Sequence, residues 1–214
     1  MGYRVLRVVR MRLRIFTFAL LPLTASAQLF TFGVQGGVPA QTPRGRTDEM
    51  PFVLGPSVNI RAFAGVSLQT GVLYHRIGRG NDSFAFLYPE NAVTLGFESW
   101  RGSALELPFL AKFRFLGERA GWRPFLLAGP TVRRTSITTN SARSVISSSP
   151  LTNSMPVLTT KTTQWNVDPS MGVGVDFRTG RFHIEPEARY SYWGAGKTDR
   201  VRKNQVNFLL GFRF

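Results

Sequence analysis

The sequence predicts an all-β protein, an eight-stranded antiparallel up-and-down transmembrane β-barrel, and three observations support this fold class. Apolar and polar residues alternate with a period of two along most of the chain after residue 28. The alternating runs are about 10 residues long, the length that a tilted membrane-spanning strand needs. The links between the runs alternate between short and long, which is typical of a barrel whose two ends face different compartments.

The first 27 residues are predicted to be a signal peptide and not part of the fold. Their basic start contains five arginines: Arg4, Arg7, Arg10, Arg12 and Arg14. The apolar run from Ile15 to Leu23 is too short for a transmembrane helix, which needs about 20 residues. Because Ala25-Ser26-Ala27 fits signal-peptidase cleavage, we expect a barrel domain over residues 28–214 with a formal net charge of +10.

Composition narrows the classes of function. The absence of cysteine excludes a disulfide framework, a thiolate metal site and a cysteine nucleophile. The excess of 27 Lys and Arg over 12 Asp and Glu would suit nucleic acid, but an exported barrel does not meet that partner. The two histidines, His75 and His183, are too far apart in sequence for a spaced metal motif. We therefore expect no nucleic-acid partner, no metal and no cofactor.

The first four predicted strands each carry their apolar side chains on one face. The apolar sets are Phe30, Phe32, Val34 and Val38; Leu54, Val58, Ile60 and Ala62; Val66, Leu68, Val72 and Tyr74; and Leu105, Leu107, Phe109, Ala111, Phe113 and Phe115. Polar residues and glycine occupy most of the alternate positions, so each strand separates an apolar from a polar environment.

The last four predicted strands follow the same pattern with one exception. The run from Trp122 to Val132 is apolar on both faces, so its alternation does not say which face points inward. The other apolar sets are Val167, Met171, Val173, Val175 and Phe177; Phe182, Ile184, Ala188 and Tyr190; and Val206, Phe208, Leu210, Phe212 and Phe214.

The predicted links divide into two classes by length. Three are short: Ala64-Gly65, residues 117–121 and Thr179-Gly180. Four are long: residues 39–50, 77–99, 133–164 and 193–204. The seven tryptophans and tyrosines near the predicted strand ends suit the aromatic girdles of a membrane barrel, or a carbohydrate platform: Tyr74, Trp100, Trp122, Trp165, Tyr190, Tyr192 and Trp193.

The polar faces are predicted to fill the barrel interior. A soluble barrel would have to fit the Phe-rich faces into a lumen that eight strands make barely wide enough for ordinary filling. With the faces reversed, charged residues form an ion-pair network in the lumen: Glu106, Lys112, Arg114, Asp176, Glu185, Glu187, Arg189 and Arg213. A general acid/base pair among Glu106, Glu185 and Glu187 is the alternative, and we favour the network.

The long links are basic and rich in hydroxyl groups. Residues 135–163 contain 15 Ser or Thr among 29 residues. The last long link carries a basic surface formed by Lys197, Arg200, Arg202 and Lys203. Such a rim would attract the phosphates of lipopolysaccharide, while simple solvation of loop tips is the alternative.

The C-terminal strand carries a resemblance to bacterial outer-membrane proteins. The chain ends Val206-Asn207-Phe208-Leu209-Leu210-Gly211-Phe212-Arg213-Phe214, and Phe208, Leu210, Phe212 and Phe214 resemble the signal read by the barrel-assembly machinery. Residues 105–115, 123–130, 172–176 and 185–190 are similar to runs in the PorT-like family of small outer-membrane β-barrel domains. The resemblance implies a location in the bacterial outer membrane, and an accessory role in secretion is one of its possible consequences.

An enzyme is the alternative function. Outer-membrane lipid A deacylases have barrels of this size and a His-x-Ser pattern, but His183 is followed by Ile184-Glu185 and His75 by Arg76-Ile77. We therefore expect no catalytic residues and no metal. The expected function is a monomeric, closed envelope barrel that interacts with outer-membrane lipid, lipopolysaccharide, host or other envelope partners, and the alternative is a lipid-acting hydrolase.

Overall fold

The computed structural model describes residues 29–40, 50–63, 65–87, 93–116, 120–146, 153–154, 157–194 and 203–214. The described strands are β1 (Phe30–Pro39), β2 (Phe52–Phe63), β3 (Val66–Gly71), β4 (Leu73–Leu87), β5 (Val93–Arg114), β6 (Trp122–Ile146), β7 (Asn153–Ser154), β8 (Leu158–Thr179), β9 (Phe182–Tyr192) and β10 (Asn204–Arg213). The predicted signal peptide lies outside the described residues. No helix in the described ranges is long and apolar enough to cross a membrane.

The strands form one antiparallel ring. Each barrel strand pairs with its neighbours in sequence, and β1 pairs with both β2 and β10, which closes the sheet. The segments β3 and β4 are two halves of one barrel strand, interrupted at Val72, because both pair with β2 on one side and β5 on the other. Apart from the two-residue β7, which pairs antiparallel with the end of β6, this gives the predicted eight-strand up-and-down topology.

The two faces of the ring carry the predicted residues. Outward side chains are apolar and exposed, such as Phe32 at 50%, Phe109 at 43% and Phe212 at 48%. The polar set at alternate positions is buried inside the ring. The structure also resolves the run from Trp122 to Val132: Trp122 and Leu126 point outward, while Phe125 and Leu127 are buried in the lumen.

Two of the predicted long links are mostly strand, so those predictions are wrong. Four segments extend the sheet well past the barrel and are paired with one another: residues 76–87 of β4, 93–104 of β5, 133–146 of β6 and 158–166 of β8. The Thr-rich composition suggested a loop, yet Thr is β-branched and suits a strand. Cross-strand pairs such as Thr139 of β6 and Thr160 of β8 stabilise this sheet. The sequence of one strand does not show which residues it pairs with.

The tight turns lie at the other end of the ring. Gly65 and Gly180 have φ values of 78° and 63°, a backbone region that favours glycine, and they connect β2 to β3 and β8 to β9. In bacterial outer-membrane barrels the short turns face the periplasm. The extended sheet therefore projects on the extracellular side.

Candidate functional site

The carboxylates of Glu185 and Asp176 are the two centres of the lower network, an ion-pair network in the part of the lumen next to the short turns. Glu185 lies 2.7 Å from Lys112 Nζ, 2.7 Å from an Arg213 guanidinium nitrogen and 3.5 Å from Arg114. Its side chain is fully buried, as is that of Lys112. These contacts replace the hydrogen bonds to water that the carboxylate oxygens of Glu185 lose on burial in the lumen.

Asp176 forms the second centre of this lower network. Its carboxylate accepts hydrogen bonds from Arg123 at 2.7 Å and from Arg114 at 3.1 Å, and His183 Nδ1 lies 2.7 Å away. Arg123 comes from β6, where the sequence alternation gave no inward face, and His183 precedes the predicted network residue Glu185 by two positions on β9.

The middle of the lumen contains a smaller network. Arg189 Nε donates to Glu187 Oε1 at 2.6 Å, while Glu187 Oε2 accepts from Gln35 at 3.1 Å and Gln69 at 3.4 Å. Gln69 also accepts from Arg213 at 2.9 Å, which links this layer to the lower network. The structure thus divides the eight predicted lumen residues between layers instead of joining them in one cluster.

The upper layer contains Glu106 and residues that sequence reasoning missed. Arg133 donates to both Glu106 and Asp168, and His75 Nε2 lies 2.8 Å from Glu106 Oε2. The guanidinium of Arg133 stacks 3.9 Å above the Trp193 ring. The sequence indicates an inward position for Asp168, because this residue is polar and alternates with the apolar residues of its strand. Arg133 lies where a loop was predicted.

Apolar side chains also fill the lumen. They form three buried clusters: Ile77, Trp100, Ala104 and Trp193; Val53, Leu73 and Leu209; and Leu110, Phe125 and Leu127. Lys112 Nζ lies 3.6 Å from the centre of the Phe125 ring. The placement of Trp100 and Trp193 in an interfacial girdle is therefore wrong: they are buried in the lumen, with 1% and 5% exposure, whereas Trp122 and Trp165 face outward.

The side chains that fill the lumen predict a barrel that does not conduct ions. Side chains such as Arg189, Arg133 and Trp100 are almost fully buried across the lumen, and an eight-strand barrel has little space beyond its own side chains. We expect planar-bilayer recordings on the purified barrel to show no stable porin-like conductance. Reproducible, ion-selective steps would contradict a closed lumen, and an established porin reconstituted in the same lipid is the positive control.

Within the part of the chain that the structure describes, the two histidines contact carboxylates. His75 contacts Glu106, and it packs edge-on against Trp193 with ring centres 5.8 Å apart, while His183 contacts Asp176. The buried hydroxyls of Thr131, Ser170 and Ser191 hydrogen bond to one another at 2.9 and 3.0 Å. Within the described ranges, no group of three or more His, Asp or Glu side chains is arranged to hold a metal ion.

The two remaining predicted sites differ in how much of them the structure describes. The predicted assembly signal points outward and is 41–71% exposed: Phe208, Leu210, Phe212 and Phe214. These side chains form the lipid-facing side of β10, the strand that pairs with β1 and closes the ring. Of the predicted basic loop surface, Lys203 is described and exposed, while Lys197, Arg200 and Arg202 lie outside the described residues.

The outer face of the extended sheet carries a cationic belt that sequence reasoning missed. Four cross-strand rows run over β4, β5, β6 and β8. From the membrane outward they are Tyr74–Leu105–Arg134–Trp165, Arg76–Ser103–Ser136–Thr163, Arg79–Arg101–Thr138–Lys161 and Asn81–Ser99–Asn140–Thr159. We call Arg76, Arg79, Arg101, Arg134 and Lys161 the cationic belt.

Charges on this sheet are sorted by face. None of the sixteen described side chains in the four rows is acidic. The two described acidic residues of the extension, Asp82 and Glu98, are cross-strand partners on the opposite face, which continues the lumen side. Arg134 Cζ lies 5.7 Å from the centre of the Trp165 ring, so the lowest row combines a cation with an aromatic ring of the membrane interface.

An apolar groove lies below the belt on the same outer wall. It has a volume of about 560 Å³ and is lined by residues of β5, β6, β8, β9 and β10, among them the outward Ala111, Ala128, Met171 and Tyr190. Small residues in the middle, flanked by larger ones such as Phe113, create the depression.

Comparisons with known proteins agree with this architecture. Residues 26–198 match the family described as outer membrane protein beta-barrel domain. No curated protein sequence matches the chain.

Several solved structures are similar in fold at low sequence identity. Neisserial surface protein A is 13% identical, with a TM-score of 0.44, and the match covers 86% of this chain and 94% of that one. The N-terminal β-barrel domain of Pseudomonas aeruginosa OprF is 14% identical, with a TM-score of 0.41 and coverages of 86% and 96%. The attachment invasion locus protein Ail of Yersinia pestis is 12% identical, with a TM-score of 0.40 and coverages of 86% and 97%.

Proposed function

The chain belongs to the outer membrane protein beta-barrel domain family, and we propose that it is a closed, non-catalytic barrel whose outer wall binds lipopolysaccharide. Its location in the bacterial outer membrane and its role as an envelope barrel follow from the family. The ligand is our proposal, and the cationic belt is the observation that carries it.

The height of the belt supports a ligand in the outer leaflet. Its lowest row contains Tyr74 and Trp165, residue types that mark the membrane interface. The row with Arg79, Arg101 and Lys161 lies four residues farther along the strands, which is about 13 Å at the usual strand rise. Belt cations therefore occupy the headgroup zone, where the phosphates of lipopolysaccharide are found.

The chemistry of the belt fits a phosphorylated sugar. Arginine binds phosphate through a planar fork of N–H donors, and four of the five belt residues are arginine. Hydroxyl and amide side chains such as Ser103, Thr163 and Asn140 stand between the cations and can hydrogen bond to sugar hydroxyls.

The groove supports an acylated ligand. Ala128 in the groove is six residues from Arg134 on β6, about 20 Å along the strand. With a strand tilt of about 40°, the vertical distance is about 15 Å, half the hydrocarbon thickness. An acyl chain whose headgroup contacts Arg134 would therefore reach the groove.

Neutralising two belt cations tests this proposal. Arg101→Gln/Lys161→Gln is expected to weaken lipopolysaccharide binding about 10- to 30-fold, because each cation near an anionic surface contributes about 1 kcal/mol. Arg143→Gln/Arg181→Gln removes the same charge from exposed positions outside the belt and is the matched control. Affinities are measured on detergent-purified barrel by competition with fluorescent lipopolysaccharide, with dephosphorylated lipopolysaccharide as a second ligand.

Two outcomes would contradict the belt as the binding site. Equal losses in the belt and control variants would mean that only net charge matters. If neutralising Lys197, Arg200, Arg202 and Lys203 abolishes binding while the belt variant binds normally, the ligand is held by the loop surface that the sequence predicts.

The remaining proposals concern partners and catalysis. We propose that the barrel is monomeric and is inserted by the barrel-assembly machinery, to which Phe214 and its outward neighbours on β10 would be presented. The carboxylate partners of His75 and His183 support a non-enzymatic role over a lipid-acting hydrolase. The narrower PorT-like resemblance stays a prediction.

A further inference from the structure

We infer that a small pocket in the cationic belt binds a single phosphate group carried on a sugar, with Arg79 and Arg101 as its anion-binding residues. The inference deepens the proposed function, and it rests on that function only for lipopolysaccharide as the source of the phosphate. The pocket has a volume of about 180 Å³ and is lined by Arg79, Ser99, Trp100, Arg101, Thr138 and Asn140. We call it the Arg79–Arg101 pocket.

The two arginines lie directly opposite each other on neighbouring strands. Arg79 of β4 pairs with Arg101 of β5, and both side chains are exposed on the outer wall. Side chains in such a pair have Cβ atoms about 4.5–5.5 Å apart, and like charges in this position destabilise a sheet. The described acidic residues closest along these two strands, Asp82 and Glu98, lie on the opposite face. An anion bound between the two guanidinium groups would remove their repulsion.

An irregularity in β4 brings Arg79 to this position. The pairing of β4 with β5 shifts register between Arg76 and Gly78. With strict alternation, Arg79 would lie on the opposite face from Tyr74 and Arg76. Bulges of this kind re-aim side chains and are common next to functional sites. The shift therefore creates the cross-strand pair of arginines.

The neutral residues of the pocket add hydrogen-bond donors. Thr159 Oγ1 donates to Asn140 Oδ1 at 2.8 Å, which leaves the side-chain NH2 group of Asn140 as a donor. Asn140 pairs with Ser99 in the row next to Arg101 and Thr138, so amide, hydroxyl and guanidinium groups border the same space. Phosphate oxygens match the planar fork of arginine, and the hydroxyl and amide groups can bind the adjoining sugar.

The size of the pocket limits what it can hold. Cavities that enclose a whole small-molecule ligand measure about 300–1,000 Å³. The Arg79–Arg101 pocket is smaller than this, with about 180 Å³. It therefore holds a phosphate group and the sugar atoms next to it, while the remainder of a larger ligand lies along the belt.

NMR titration of the isotope-labelled full barrel in detergent micelles tests the pocket. The probe is glucose 6-phosphate, glucose is the neutral comparison, and the side-chain amide signal of Asn140 reports binding in every variant. We expect saturable shifts with glucose 6-phosphate and none with glucose. Arg79→Lys/Arg101→Lys keeps both charges but loses both planar forks, so it is expected to weaken binding about 10-fold.

Arg143→Lys/Arg181→Lys is the matched control at exposed positions outside the belt, and it is expected to bind like the wild type. The heat-dependent gel shift verifies folding, and Arg101→Lys alone replaces the pocket variant if that one fails to fold. Weakening confined to the pocket variant would support the inference. Absence of saturable shifts in the wild type, or equal weakening in the pocket and control variants, would overturn it.

Competition with fluorescent lipopolysaccharide identifies the source of the phosphate. Weaker binding of both glucose 6-phosphate and lipopolysaccharide to the pocket variant would support lipopolysaccharide as the source. A loss for glucose 6-phosphate alone would support the pocket and overturn lipopolysaccharide as its ligand. If the wild type binds glucose 6-phosphate but not lipopolysaccharide, the proposed function fails while the pocket stands.

A further variant tests the acidic residues of the predicted long links that lie outside the described part of the chain: Asp48, Glu49, Glu90 and Asp199. The titration is carried out at about 0.15 M salt, which screens charges more than about 8 Å apart. Asp48→Asn/Glu49→Gln/Glu90→Gln/Asp199→Asn is then expected to change the affinity for glucose 6-phosphate by less than about threefold. A larger gain would mean that a carboxylate of the chain itself occupies the pocket, and it would overturn the inference.

Discussion

Glu185→Gln is expected to destabilise the folded barrel by about 3–5 kcal/mol, the usual cost of breaking a buried ion pair by removing one partner. The change leaves the fully buried Lys112 and Arg213 without the carboxylate that each contacts at 2.7 Å. Glutamine keeps the shape of the side chain and removes its charge, so the effect reports electrostatics and not a cavity.

Urea unfolding in lipid vesicles, followed by tryptophan fluorescence, measures this loss. Arg181→Gln is the control, because Arg181 is exposed between β8 and β9 and its neutralisation is expected to change stability by no more than about 0.5 kcal/mol.

A second variant distinguishes charge imbalance from a local packing fault. Adding Lys112→Met to Glu185→Gln removes one of the uncompensated cations and should restore part of the lost stability. Unfolding of Glu185→Gln at the wild-type urea concentration would show that the lower network does not stabilise the barrel. Further loss in the double variant would show that Lys112 contributes mainly through its contact with the Phe125 ring.

Much of the barrel could be predicted from the sequence because one rule governs both faces. A strand that separates lipid from a polar lumen must alternate, and Phe109, Phe113 and Glu106 follow that alternation in both sequence and structure. The rule fails where both faces are apolar. Phe125 and Leu127 lie inside the lumen, where the ring of Phe125 is in contact with Lys112.

The cationic belt could not be predicted because it depends on register and on a bulge. Arg79, Arg101 and Lys161 are far apart in sequence and lie in one row only after β4, β5, β6 and β8 have paired. Arg76 and Arg79 are three residues apart, so strict alternation places them on opposite faces. The register shift between Arg76 and Gly78 moves both to the outer wall.

The division of the lumen into layers was also beyond the sequence. Alternation identifies Glu106 and Glu185 as inward residues, but it does not give their heights in the barrel. Glu106 pairs across the strands with Leu73 and Arg133, in the upper half, while Glu185 pairs with Gly211 near the short turns. Only the full set of registers separates the two carboxylates.

Phe109→Arg is expected to destabilise the membrane-inserted barrel by about 2–4 kcal/mol, the cost of an arginine on the lipid face near the bilayer midplane. Phe109 points outward with 43% exposure, and it precedes the groove residue Ala111 by one outward position on β5. Because the groove is expected near mid-membrane, the new guanidinium would lie where it cannot easily reach water.

Phe97→Arg is the matched control for this change. Phe97 also points outward on β5, with 58% exposure, but it lies beyond the cationic belt on the extracellular part of the strand. The same substitution there puts the charge in water and is expected to cost no more than about 0.5 kcal/mol. Equal destabilisation of the two variants, or a larger loss for Phe97→Arg, would mean that the hydrocarbon band does not lie between the short turns and the row of Tyr74 and Trp165. The assignment of the belt to the headgroup zone would then be wrong as well, because both rest on the same position of the membrane.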